Sequence, residues 1–181
     1  MARARVIAFL ALGACHGGCL HMEQTHDVAL GWKGTVESWP YTCKPVATHP
    51  TRVVATSATD YEAVDVGTED FHCDALLLHV RVARAARLDC DLPKAIVVGQ
   101  EIAPVVFGRD ASGTKLDLGS TWDARYGGVL ESAPPYDMAI FSAWTVRASK
   151  PGRGELTITF GALTQTFATT AVAPSDAGSD G

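Results

Sequence analysis

What this chain lacks narrows its function before any motif is considered. Beyond its first residues no apolar run is long enough to span a bilayer, and the leading run itself is far too short. Basic charge is scarce: 15 Lys and Arg stand against 20 Asp and Glu, for a formal charge of −5. Nucleic-acid binding needs a basic stripe, so that class is excluded. Arg81, Arg84 and Arg87 do cluster, but among alanines, as one solvated face. There is no Gly-x-Ser-x-Gly elbow, Gly-rich phosphate loop or His-Glu-x-x-His pair, and no acid/base pair stands out. No cofactor is implied, and the chain reads as non-enzymatic. After the leader there is also no helical stripe. Short runs of period two recur instead between Gly, Pro, Asp and Ser, which reads as all-β.

What is present begins with an export signal. Two arginines precede the uncharged run Val6 to Ala14, which ends in small residues before Cys15. Leu12-Gly13-Ala14-Cys15 resembles a bacterial lipobox, which implies cleavage after residue 14 and lipidation of Cys15. Several acyl chains would then hold the chain on a membrane, well beyond the single chain that binds marginally. In a Gram-negative cell the lipobox resemblance implies that a residue other than Asp after the lipidated cysteine favours the outer membrane; here it is His16. The alternative is a secreted or periplasmic protein with Cys15 as a thiol. Removing residues 1–14 deletes two arginines and no acid, taking the charge from −5 to −7.

Four cysteines follow: Cys19, Cys43, Cys73 and Cys90. An even number in an exported chain suggests two disulfides, with three connectivities open. Cys73 shares parity with Phe71, and Cys90 with Leu88 and Leu92, so both face the apolar side. The preferred pairs are Cys73 with Cys90 and Cys19 with Cys43.

The clearest strand is 155–160, with Leu156, Ile158 and Phe160 on one face and Glu155, Thr157 and Thr159 on the other. The run 163–172 pairs with it, and the parity change between Phe167 and Val172 predicts a bulge. Further strands are expected at 96–98, 102–107, 121–122 and 144–148, with a turn at 108–113 and a Gly- and Pro-rich loop at 124–138. The Val98-Gly99-Gln100 step, the apolar strand to Phe107, the Asp110-Ala111-Ser112-Gly113 turn, the Trp122 strand and the Pro-Gly-x-Gly before a Thr-rich pair resemble a bacterial Ig-like domain of the group 2 (invasin/intimin) kind. The resemblance implies a β-sandwich used for adhesion or spacing, and it names no ligand. Residues 28–92 have similar texture, with strands expected at 53–56, 63–66, 71–76, 78–83 and 88–92. The expected organisation is thus a signal peptide (1–14), a tether (15–27), a degenerate sandwich unit (28–92), an Ig-like sandwich (93–173) and a tail (174–181). A single irregular domain is the alternative to two units.

Three groups invite chemistry. Residues 15–27 gather thiol, imidazole and thioether ligands, and once Cys15 is lipidated and Cys19 oxidised, His16, His21, Met22 and His26 remain for a soft metal. A metal-binding lipoprotein is therefore the first alternative function. The second is a loop-borne hydrolase or inhibitor, which requires a pocket gathering acids between Asp123 and Asp137. Trp32, Trp39 and Tyr41 read first as core packing or the cover of a sheet edge, with a face for a sugar or for an envelope or extracellular protein as the alternative. The Asp110–Asp117 stretch lacks the ligand run of a Ca²⁺ loop and reads as a hairpin turn.

Overall fold

The computed structural model describes residues 22–38, 41–74, 76–138 and 141–174; Cys15, His16, Cys19, His21 and Trp39 lie outside them. The described residues form strands and turns with no helix. They divide into two compact units, one of residues up to Ala86 plus Gly108–Thr121, the other of Arg87–Phe107 plus residues from Trp122 onward.

In the first unit β1 (Met22–Thr35) is followed by a small hairpin, β2 (Glu37–Ser38) and β3 (Tyr41–Thr42), and then β4 (Lys44–Pro45), β5 (Val53–Ala55), β6 (Asp60–Ala63), β7 (Gly67–Cys73) and β8 (Leu76–Ala83). The long strand β1 serves two sheets. Its first half runs parallel to β8, from Met22↔Leu76 to Ala29↔Ala83, while Lys33 to Thr35 pair antiparallel with β6. Gly31, at a φ of 88°, makes the kink between the halves, a conformation glycine adopts without cost. One sheet therefore has the order β4-β7-β8-β1 and the other β1-β6-β5. In immunoglobulin terms these are C-F-G-A′ and B-E-D, with the A′ and B strands fused.

The second unit repeats this arrangement. It contains β9 (Arg87–Cys90), β10 (Ala95–Val97) and β11 (Glu101–Ile102), after which β12 (Val106–Arg109) and β13 (Lys115–Gly119) leave it. It resumes with β14 (Asp123–Gly128), β15 (Leu130–Met138), β16 (Phe141–Ala148), β17 (Gly152–Phe160) and β18 (Leu163–Val172). Its sheets are β10-β18-β17-β14 and β11-β16-β15, again A′-G-F-C and B-E-D. Gly99, at a φ of 83°, separates β10 from β11 as Gly31 divides β1. The closing hairpins match as well. Asp74 (φ 54°) follows Cys73 and Gly161 (φ 56°) follows Phe160, and in each hairpin a leucine, Leu76 or Leu163, opens the returning strand opposite Cys73 or Phe160. The sequence contains no asparagine, so these left-handed positions fall to glycine and, once, to aspartate. All-β sandwich architecture is thus the fold of this chain.

The cores follow from period two. In the first unit Phe71, Cys73, Leu78, Val80 and Val82 pack with Val28, Trp32, Val53 and Tyr61. In the second Leu156, Ile158 and Phe160 of one sheet and Val146 and Ala148 of the other are buried, while Thr157 and Thr159 bond outside to Thr166 and Thr164.

Several expectations need correction. Residues 22–27 are strand rather than tether, because they complete the β8 edge. Residues 108–121, expected inside the second sandwich, belong to the first unit, where β13 runs parallel to β1 at Val28↔Asp117 and β12 pairs with β13 at Gly108↔Leu116. The expected loop 124–138 is largely strand. Its two prolines, which lack the N–H a ladder needs, fall between Ala133 and Tyr136, where the β15–β16 register shifts. No bulge interrupts β17 and β18. They stay in register from Gly152↔Ala171 to Phe160↔Leu163, and the parity change is met by leaving Val172 exposed.

Candidate functional site

Two groups of polar side chains come together in the first unit, around β1. On the inner side of its fold, Asp117 of β13 accepts the indole N–H of Trp32 on Oδ2 at 3.1 Å, and the same oxygen lies 3.3 Å from His26 Nε2. Its Oδ1 accepts the Gly119 backbone N–H at 2.8 Å. The His26 and Trp32 rings meet edge to face with centroids 6.0 Å apart. Burial pushes the Asp117 carboxyl up, but the bonds from His26, Gly119 and Trp32 outweigh it and hold the carboxyl below its ordinary range. Gly119 sits at a φ of 61° with its α-carbon pressed on β1, where a Cβ would lie 2.2 Å from the Lys33 carbonyl. Ser120 N–H donates to that carbonyl at 3.0 Å, and the Thr121 hydroxyl to the Gly31 carbonyl at 3.0 Å.

The outer face of the β7-β8-β1 sheet carries a second group. Alternation places Asp70, His79, Glu23, Asp27 and Arg81 on this face, with Asp70 beside His79 and Arg81 beside Asp27, while Glu23 stands two residues along β1 from Thr25, the register partner of His79. Asp70 Oδ1 lies 2.7 Å from His79 Nδ1, and Glu23 lies 3.9 Å from Nε2. The Asp70 hydrogen bond, opposed by some desolvation and aided by both carboxylate charges, raises the His79 pKa above its ordinary value. Arg81 donates Nε to Asp27, its register partner, and Nη1 to Asp110 at 3.2 Å. Asp110 also accepts the Ser112 hydroxyl at 2.6 Å and the backbone N–H groups of Ser112 and Thr114 at 2.9 Å each. The Ser112 bond leads in drawing its carboxyl down to about 2.

His26 turns Nε2 to the Asp117 carboxylate and its ring meets Trp32 edge to face, while both ring nitrogens of His79 lie near carboxylates, Asp70 and Glu23. Among the described residues no three His, Cys, Asp or Glu side chains gather as a metal site. Of the proposed metal ligands, His26 is strand-borne and bound to Asp117, while His16, His21 and the Met22 side chain lie outside the described parts.

The other expected sites fare as follows. Trp32 does not belong to a binding face: it is fully buried, since Gly31 turns it into the core and Asp117 satisfies its N–H. Trp39 and the Tyr41 side chain lie outside the described parts. The disulfide joins Cys73 to Cys43, not to Cys90, because β4 lies against β7 at Lys44↔His72 and brings the two α-carbons to 4.2 Å. Cys90 carries a free thiol, and burial pushes its pKa up to about 11, so it is a poor nucleophile. Cys19 lies outside the described residues. In the second unit Trp122, Tyr126 and Trp144 form a half-buried trio. Trp144 meets Trp122 edge to face at 5.1 Å, and its N–H donates to the Tyr126 hydroxyl, tying β16 to β14.

Sequence reasoning also missed Glu69. It is 7% exposed on the core side of β7, where its carboxylate accepts the backbone N–H groups of Thr51 and Arg52 at 3.0 Å each. Its parity with Phe71 was the available signal.

No protein-family model matches the chain, and no curated protein is significantly similar to it. Solved structures give weak likenesses. Domains 5–6 of the S-layer protein SbsC align at 13% identity over 82% of this chain and 93% of that one, with a TM-score of 0.39. Invasin, a bacterial integrin-binding protein, aligns at 9% over 82% of this chain and 34% of its own, with a TM-score of 0.38. The Yersinia pseudotuberculosis adhesin InvE aligns at 14% over 80% and 56%, with a TM-score of 0.37. At these scores the likenesses carry no activity or partner to this chain.

Proposed function

We propose that this chain is a non-catalytic envelope lipoprotein, held on a membrane by lipidated Cys15, whose two Ig-like units act as a spacer or adhesion module. The observation that carries the reading is how the charged side chains of the first unit are used. Asp117, Asp27, Arg81 and Glu69 each bind another strand or the backbone of a neighbouring loop. Groups spent in this way fasten strands and are not free for acid–base work. The Cys43–Cys73 bridge suits an exported chain, since disulfides persist in oxidising compartments. The net negative charge speaks against nucleic acid as a partner, and an extracellular protein or glycan fits an envelope location.

The test is mass spectrometry of the N-terminal peptide from membrane-extracted protein, paired with fractionation of Cys15→Ala. A diacylglyceryl-modified Cys15, and release of the variant from the membrane, are expected. An unmodified cysteine, or a wild-type chain that salt alone removes, overturns the reading.

A further inference from the structure

We propose that the first unit is a tension-bearing clamp in which β1 is loaded in shear against both of its neighbours. The source of the load rests on the anchored-spacer reading, whereas the resistance itself is a property of the fold. Strand direction decides how the load is carried. Met22, the first described residue, stands at one end of β1, and two segments carry the chain out of the unit, one after β8 at residue 86 and one after β13 at residue 121. Both β8 and β13 are parallel to β1, so both exits lie at the end of β1 opposite to Met22. Tension applied through the chain therefore pulls β1 lengthwise past its neighbours. In an antiparallel arrangement an exit would lie beside Met22, and the same pull would peel the ladder open one bond at a time.

Shear loads all the bonds of a seam together, so the number and strength of the ties on that seam decide how long it holds. The β1–β8 seam has eight register pairs, from Met22↔Leu76 to Ala29↔Ala83. The equivalent parallel seam in the second unit, β10 with β18, has three. Side chains reinforce the same seam. Arg81 of β8 binds Asp27 of β1 and reaches on to Asp110, and Glu23 of β1 faces His79 of β8. The β1–β13 seam is fastened by Asp117 to Trp32 and His26, and by Ser120 and Thr121 to the carbonyls of Lys33 and Gly31. The ion pairs are half-exposed and worth little to equilibrium stability. Placed across a sheared seam, each must break before β1 can slip.

Single-molecule pulling of the purified full chain under constant load tests this, because lifetime under load reports the unfolding rate. The chain is held either by its two termini or between its N-terminus and a handle on Ala111→Cys. Ala111 lies in the turn before β13, at the same end of β1 as Met22, so the second geometry peels β13 away. The first unit is expected to outlast the second when pulled by the termini, and to survive at least several-fold longer in that geometry than in the peeling one. Asp27→Ala and Asp117→Asn should each shorten the terminal-pull lifetime, whereas Thr157→Ala on β17 should not. Asp117→Asn keeps one acceptor oxygen, for the Trp32 or the Gly119 N–H, and removes the charge that faces His26. Equal lifetimes in the two geometries, or lifetimes that neither β1-seam substitution changes, overturn the clamp. The measurement uses lipid-free protein, so an unmodified Cys15 would remove the anchor without touching this result.

Discussion

Trp32 donates its indole N–H to the carboxylate of Asp117, 85 residues further along the chain, and this bond seats β13 on β1. One partner comes from the first half of the sequence and the other from the middle of what reads as the second domain. The pair shows where local pattern ends and long-range pairing begins.

Substitutions on β17 separate burial from exposure on one strand. Ile158→Ala removes a fully buried side chain and should cost roughly 2 to 5 kcal/mol through lost burial and a residual cavity. Thr157→Ala, on the outer face, should stay within about 0.5 kcal/mol. Urea midpoints of the two variants measure the difference, and equal midpoints would remove the half-buried strand.

The Cys43–Cys73 bridge spans 30 residues. Its closure should contribute about 3 to 4 kcal/mol on the chain-entropy account. Cys43→Ser with Cys73→Ser should lower stability by that order, and Cys90→Ser by much less. Non-reducing peptide mapping should show Cys43 joined to Cys73, and a Cys73–Cys90 peptide would contradict the pairing.

Two left-handed glycines should differ sharply. Gly161→Ala at a φ of 56° meets open space and should cost about 1 to 2 kcal/mol for the backbone alone. Gly119→Ala meets the Lys33 carbonyl and the Trp32 ring at a similar φ, so it must also displace β13. Thermal melts should rank Gly119→Ala well below Gly161→Ala, and Trp32 fluorescence should change only in the former.

The pH profile should fall at both ends for opposite reasons. Asp110 and Asp117 have folded pKa values below their unfolded ones, so their contribution is complete above the ordinary carboxyl value near 3.8. It drains as pH falls toward the folded values, about 2 for Asp110. His79 is shifted the other way: its contribution is complete below its ordinary value of 6.5 and is lost as pH rises through its higher folded value. Denaturation midpoints across pH should lose the acidic slope in part with Asp110→Asn, and the alkaline slope with His79→Gln.

How much of this was legible follows from how far each pattern reaches. Alternation reads one strand at a time, so the faces of Leu156, Ile158 and Phe160 were available, and so was the all-β class. Alternation says which face a cysteine takes but not which strand lies beside it. Cys73 and Cys90 shared an apolar face, yet the neighbour of Cys73 came through two residues of β4, too short to announce itself. Trp32 was ambiguous because an indole serves a core or a binding face equally well, and its partner Asp117 lay out of local reach. Glycine and proline in 124–138 suggested a loop. They turned out to mark the end of β14 and the register shift in β15.

The seating of residues 108–121 in the first unit changes what counts as a separable piece of this protein. The chain passes between the two units three times, at 86/87, 107/108 and 121/122. A gene fragment ending at residue 92 would therefore lack β13, leaving the Trp32 N–H without its carboxylate and one edge of β1 bare for pairing with other chains. A protease nick at 84–86 would have the opposite outcome: two polypeptides that stay associated, because the downstream piece still supplies a strand to the upstream fold.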